Sequence, residues 1–374
     1  IFTTNIKVVK FKLVLVLILV TACATGSSTD SEVTSTTNEV RSTTTVFSET
    51  TSTIDAVQEY IFDIEKMSPL TGKDIPPELW LNRPKRVLAF KIDNNLNARP
   101  QSGLQEADSV VELLVEGGMT RFLAFFLDNT SKYLGPLRSA RPTDPTVIRP
   151  FDGTLVVSGA TGGLIPDIVD LGVPVLEEVN APAMFRIGSR SAPHNLYVDT
   201  ELVRNEVDKR GFRFLQPGPE PLYKFGYNQL NWNDGANKVT IKYSEFTTVI
   251  WKIDNSKYSR FIIDSYSDNK EAVAHNFISQ DGNYSDILNT ETIVVIKGAL
   301  YKDNATTLPS ILTVGIGDLF IFHNGKYIQG TWRRTDISDP FEFYDINQNP
   351  IEVPPSSQWI HIVPDEGLVN WSSS

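Results

Sequence analysis

Cysteine is almost missing from this chain. Cys23 is the only one among 374 residues. A lone cysteine excludes an internal disulfide and any cysteine-based zinc cluster. Histidine is scarce too. His194, His275, His323 and His361 are scattered with no HxxH or HExxH spacing, so no metal site is expected. The Gly-Lys-Ser/Thr of a nucleotide P-loop, the GxGxxG of a dinucleotide fold and the GxSxG of a nucleophile elbow are all absent. No cofactor is therefore expected. Blocks of basic residues are lacking as well, and the formal charge is -11. Such a surface makes nucleic acid a poor partner and gives little electrostatic hold on anionic lipid.

What is present begins with an address. Lys7, Lys10 and Lys12 precede the apolar run Leu13 to Val20, and small residues follow. The run is too short to cross about 30 Å of hydrocarbon as a stable helix, so residues 1–22 read as a secretory leader. Its ending, VTAC, resembles the bacterial lipobox, in which the cysteine takes a lipid and becomes the mature N-terminus. Cys23 is thus the expected lipidation site, which also withdraws it from service as a thiol nucleophile. The expected location is the outer face of the cell membrane, with the membrane as a partner through that lipid. Losing three lysines and no acid with the leader brings the charge near -14. Residues 23–58 are Ser/Thr-rich without periodicity and read as a disordered tether. About thirty flexible residues reach roughly 30 Å.

The remaining chain divides by pattern. Residues 59–215 interleave short apolar strands (RVLAFKID, SVVELLVE, TRFLAFFLD, GTLVVSG) with helical stretches such as TELVRNEVDKRG, which Asp199 or Thr200 caps and Gly211 ends. Residues 216–236, opening on QPGPEP, read as a hinge. Residues 237–366 carry short β-branched and aromatic runs between turns. The expected fold is an α/β N-terminal domain followed by a mostly β C-terminal domain.

The candidate chemistry lies in strand-end loops, where open α/β sheets bind ligands. GPLRSARPTD places Arg138, Ser139 and Arg141 in a proline-bounded turn, and KIDNNLNARP supplies Asp93, Asn94 and Arg99. SAPHNLY supplies His194 and Asn195. Arginine's planar fork suits a carboxylate or phosphate, so these eight residues form a candidate anion site. The same arginines could instead pair with Asp93 or Glu116 and tie loops together, which is the role expected of Glu116. SGATGG adds a strand–glycine–helix unit that could present backbone N–H groups to an anion or simply turn the chain. His194 could act as acid or base, or cap the next strand. Trp332, in GTWRR, is expected in the core.

Read together, NNLNARPQSGLQEAD, VEGGMTRFLAFF, GPLRSARPTD, SAPHNLY, GTWRR and WIHIVP resemble the YerB-like bacterial lipoproteins, in order, over roughly residues 66–365. The resemblance implies a two-domain extracytoplasmic lipoprotein, and it carries over no catalytic residue. Three functions follow as expectations. One is a binding or accessory protein of the cell envelope that recognises an anionic ligand. Another is an envelope hydrolase or transferase on glycan or phosphoester, using Asp93, Glu116 and His194. The third is a protein-interaction scaffold, which requires a contiguous exposed apolar patch.

Overall fold

Three runs in the first half lack the alternation of a half-solvated strand, and all three form strands buried along their whole length. They are β1 (Leu88–Asp93), β2 (Ser109–Leu114) and β3 (Thr120–Phe126). A strand covered on both faces reads as a continuous apolar run. The computed structural model describes residues 60–374 except 82, 85, 179–181, 213–218, 228–231 and 267–269. The leader, Cys23 and the tether lie outside the described residues.

β1 pairs antiparallel with β3, and β3 antiparallel with β2. On the other side of β1, the short strands β4 (Thr154–Val156) and β5 (Val175–Leu176) continue the sheet in parallel. Helices α1 (Asp144–Ile148) and α2 (Leu164–Asp170) flank β4 in the chain. A small hairpin of β6 (Met184–Arg186) and β7 (Leu196–Val198) follows. It leads into α3 (Thr200–Arg210), where the Asp199 side chain accepts from Glu201 N and Leu202 N. Gly211, at φ 59°, ends that helix as the sequence suggests. Arg204 of α3 donates to the carbonyls of Arg86 and Phe126, pinning the helix to the strand ends.

The second half is nearly all strands, but it is not a separate sheet. Strand Gln358–Pro364 pairs in parallel with β2, from Ser109↔Gln358 to Leu113↔Ile362. It also pairs in parallel with Thr292–Gly298. One sheet of eleven strands therefore runs through both halves. A further sheet, built on Lys238–Lys242, Thr247–Asp254, Lys257–Asp264 and Leu368–Ser372, covers it. There Trp251 meets Trp359 edge to face at 5.3 Å. The segment 216–236 is described only in part. Its described residues Leu222, Tyr223 and Phe225 are buried, and Tyr223 and Phe225 bridge to Phe341 and Val353. Pro/Gly punctuation marks a break in local structure and says nothing about which distant strands pair.

Charge is sealed where the sheets meet. Glu112 of β2 is fully buried, and Arg260 donates to both of its carboxylate oxygens at 2.8 and 2.9 Å. Thr120 and Trp359 also donate to it, at 2.7 and 3.2 Å. The Arg260 guanidinium lies among the rings of Phe122, Trp251 and Trp359, 5.2 to 5.8 Å from their centroids. Two histidines complete the set. Trp251 Nε1 donates to His361 Nε2 at 3.0 Å, which places the His361 proton on Nδ1, facing Tyr243. Arg260 donates to His275 Nδ1, so His275 donates through Nε2 to Gln101 at 2.7 Å. Burial, reinforced by the Arg260 charge, holds His275 well below its usual range and His361 at about 3, against the opposing pull of Glu112 on His361.

Removing one partner of a buried ion pair leaves the other charge uncompensated, at a cost of roughly 3–5 kcal/mol. Glu112→Ala and Arg260→Ala are each expected to lose that much in urea unfolding, and Glu112→Leu with Arg260→Met to recover most of it. Acid should act through the histidines. They are neutral in the fold but take a proton near 6.5 when unfolded, so the unfolded chain binds more protons below that value. Stability is therefore expected to be full above pH 6.5 and to fall as pH drops towards 3, by up to about 1.4 kcal/mol per unit for each group. Denaturant midpoints measured across that range should fall less steeply in His361→Gln.

Candidate functional site

The polar residues picked out by sequence divide into two sets, and the backbone decides which. The segment around Pro136–Arg138 runs beside the end of β1. Asp93 N donates to Pro136 O at 2.9 Å, and Arg138 N to Lys91 O at 2.8 Å. On its other flank Leu137 N donates to Leu196 O of β7 at 2.7 Å. The fit needs Gly135, where a Cβ would sit 2.8 Å from the Tyr197 ring. The β6–β7 turn, closed by His194 N on Ser191 O, then lies over the same strand end.

Asp93, Arg138 and His194 meet there. His194 Nδ1 lies 2.6 Å from Asp93 Oδ2, and Arg138 Nε lies 3.2 Å from the same oxygen. Asp93 is buried, whereas the Arg138 and His194 side chains stay 23% and 17% exposed. The terminal amino groups of Arg138 and the Nε2 of His194 have no hydrogen-bond partner among the described residues. Ser139 is next in the chain and half-buried. The glycine loop is adjacent, since Ala140 N donates to Gly159 O and Ser158 N to Arg138 O. The seven-residue α2 behind that loop is too short to add an N-terminal anion site.

Arg141 is not the second half of an open arginine pair. Its Nε donates to Glu116 Oε2 at 2.6 Å, its NH2 to Oε1, and its NH1 to the carbonyls of Ser139 and Ala140. Arg121 joins the same carboxylate at 3.3 Å. Burial would raise the Glu116 carboxyl, but the two guanidiniums hold it at about 2. Glu116 is thus tied to two arginines of neighbouring segments. Asn94, Arg99 and Asn195 are committed inward too. Asn94 donates to Thr120 and accepts from Arg99, whose NH1 reaches Asp264 at 2.9 Å. Asn195 accepts from Arg186 and donates to the carbonyls of Ile187 and Arg190. Trp332 is buried, with its Nε1 on Lys297 O.

Electrostatically the corner opposes the rest of the chain. Arg121, Arg138 and Arg141 stand against Asp93 and Glu116, an excess of one positive charge in an acidic protein. Two neighbouring groups carried little readable signal. Lys91 is fully buried on Asp144 at 2.5 Å, and burial pushes its ammonium down to about 8 against the pull of that partner. Glu112 was legible only as a lone acid inside an apolar strand. Gln101 links the two regions, donating to Asp93 O at 2.8 Å and accepting from His275.

Two family models match the chain. "Protein of unknown function (DUF3048) N-terminal domain" covers residues 70–213, and "Protein of unknown function (DUF3048) C-terminal domain" covers residues 238–360. A Bacillus subtilis (strain 168) protein named "Putative lipoprotein YerB" is 25% identical over 301 residues, 80% of this chain and 86% of that protein. The crystal structure of YerB from Bacillus subtilis matches with a TM-score of 0.67 at 22% identity, over 81% of this chain and 99% of that one. At that identity the structural likeness speaks for the fold.

The two arginines should separate by measurement. Arg141→Ala is expected to cost on the order of 2 kcal/mol in thermal or urea unfolding, because a half-buried carboxylate loses its bidentate partner and the Ala140 carbonyl its donor. Arg138→Ala should cost less than about 1 kcal/mol, as expected for a partly exposed pair.

Proposed function

This chain belongs to the YerB-like family built of the two DUF3048 domains, and on that premise we propose that it is a membrane-tethered extracytoplasmic lipoprotein. It binds an anionic group of a cell-envelope ligand at the Asp93–Arg138–His194 corner. The observation that carries this reading is one partly exposed point where the Arg138 amino groups are unengaged donors beside the outer nitrogen of His194, which donates when the ring carries both protons. Asp93 orients both from beneath, and the local excess of positive charge adds a field that draws anions. Arg141, Asn94, Arg99 and Asn195 support the corner from behind, and Ser139 borders it. The lipid on Cys23 and the outer face of the membrane belong to the same proposal, since the Bacillus subtilis relative is named a lipoprotein.

A second reading has one observation in its favour. The 2.6 Å contact between Asp93 and His194 is the arrangement of a base held in place by a carboxylate, with Nε2 left to take a proton from water or a hydroxyl. An envelope hydrolase or transferase on a phosphoester or glycan would use Asp93 and His194 in that way. Glu116, committed to Arg141 and Arg121, would stand outside the chemistry.

Calorimetric titration with inorganic pyrophosphate, poly(glycerol phosphate) and acetate tests the first reading. At least one of these anions is expected to bind, and Arg138→Ala and His194→Ala are each expected to weaken it tenfold or more while melting stays nearly unchanged. Binding that survives both substitutions, or no binding by any probe, overturns it. Turnover of bis(p-nitrophenyl) phosphate that disappears in both Asp93→Asn and His194→Ala would establish the second reading instead.

A further inference from the structure

Lined by none of that corner's residues, the fold leaves an apolar cleft of about 800 Å³. Its walls come from three places: the lead-in at Phe62 and Trp80, the crossing segment at Phe225, and the sheet edge at Phe341, Phe343 and Ile351. Apolar surface continues outside it, with Trp80 39% and Leu81 96% exposed. Five prolines, at 84, 219, 221, 340 and 350, stiffen the walls, so the cleft exists before anything enters it. Its volume lies in the range of pockets that enclose a ligand of several side chains, roughly 300–1,000 Å³.

We propose that this cleft is a docking groove for an extended cationic peptide segment of a partner protein, the segment's apolar side chains seated on the aromatic floor and its basic groups on the rim. The charge of the rim carries the choice of occupant. Glu65, Glu220 and Glu342 are exposed there. The two basic lining residues are already neutralised: Arg83 grips Asp128 bidentately at 2.6 and 2.9 Å, and Lys224 lies 3.2 Å from Glu352. The rim therefore presents net negative charge to whatever enters, and the remainder of the chain is acidic as well.

The floor argues against a sugar. Trp80 Nε1 is engaged by Ile75 O and the Tyr223 hydroxyl by Gln358, which removes those two donors from hydroxyl recognition. An anionic bilayer would meet three carboxylates at the rim. An aromatic- and proline-walled groove with acids around it is the complement of an extended segment that alternates apolar and basic residues, a recurring mode of peptide recognition.

The test pans a random twelve-residue peptide display library over the full chain, held in detergent, and synthesises the recovered peptides. They are expected to be enriched in Lys or Arg beside Pro, Leu or aromatic residues. Their affinity should fall at least tenfold in Glu220→Lys/Glu342→Lys and in Trp80→Ala, weaken with added salt, and stay unchanged in His194→Ala. That last variant separates this groove from the anion corner, so either can fail without the other. Recovery of no peptide, of peptides without basic residues, or of peptides that bind the variants equally would overturn the proposal. Two other results would overturn it by naming another occupant. One is Trp80-dependent binding to phosphatidylglycerol vesicles, and the other is Trp80-dependent self-association in sedimentation.

Discussion

The fold depends on one buried pair, Glu112 with Arg260. A carboxylate and a guanidinium with no exposure stand between two sheets, and neither could be there without the other. Thr120, Trp359 and His275 take up much of their remaining bonding capacity, and the Arg260 Nε is left without a partner among the described residues. The arrangement also sets register. Glu112 lies opposite His361 in the parallel pairing of β2 with Gln358–Pro364, and a slip by one residue would turn both side chains to the other face of the sheet. A pair of this kind adds little net stability over an apolar replacement, but it penalises misaligned packings heavily.

The proposed anion corner stands on the same framework. Arg260, His275 and Gln101 form a chain of donors and acceptors ending on the backbone of Asp93. Asp93 is then the last residue of a strand whose preceding five side chains are all buried, and its carboxylate is the first to reach partly exposed partners. Rigid support beneath and uncommitted Arg138 donors above are what the proposed anion site requires. The aromatic cleft is built differently, from edge elements stiffened by prolines, which matches the longer, extended ligand proposed for it.

Local elements were the legible part of the sequence. The helix from Thr200 to Arg210 had a cap, a basic last turn and a stop glycine, and the aromatic run TRFLAFF had only one plausible state. VVELLV was ambiguous between helix and strand, because a fully buried strand has no alternation to display. The pairing of residues 109–114 with 358–364 had no local signal, and so the continuous sheet was invisible. In the arginine turn, spacing could not say that Arg138 turns to Asp93 while Arg141 turns to Glu116. Both carboxylates were on the page, but their depth and direction were not. Among the residues marked as candidates, Asp93, Arg138 and His194 gather at one point, and what singles them out is the exposure left over after every other bond is made.

The parallel strand at Gln358–Pro364 has a consequence for how the molecule comes into being. It stands in the middle of the large sheet, flanked by residues 109–114 and 292–298, yet it comes long after β2 in the chain. Until those residues leave the ribosome, β2 presents an open edge and Glu112 has no complete enclosure. Assembly is therefore governed by contacts of very long sequence separation, which slow folding and keep sticky intermediates alive. A nascent chain of this design keeps the edge of β2 open until that distant strand is delivered.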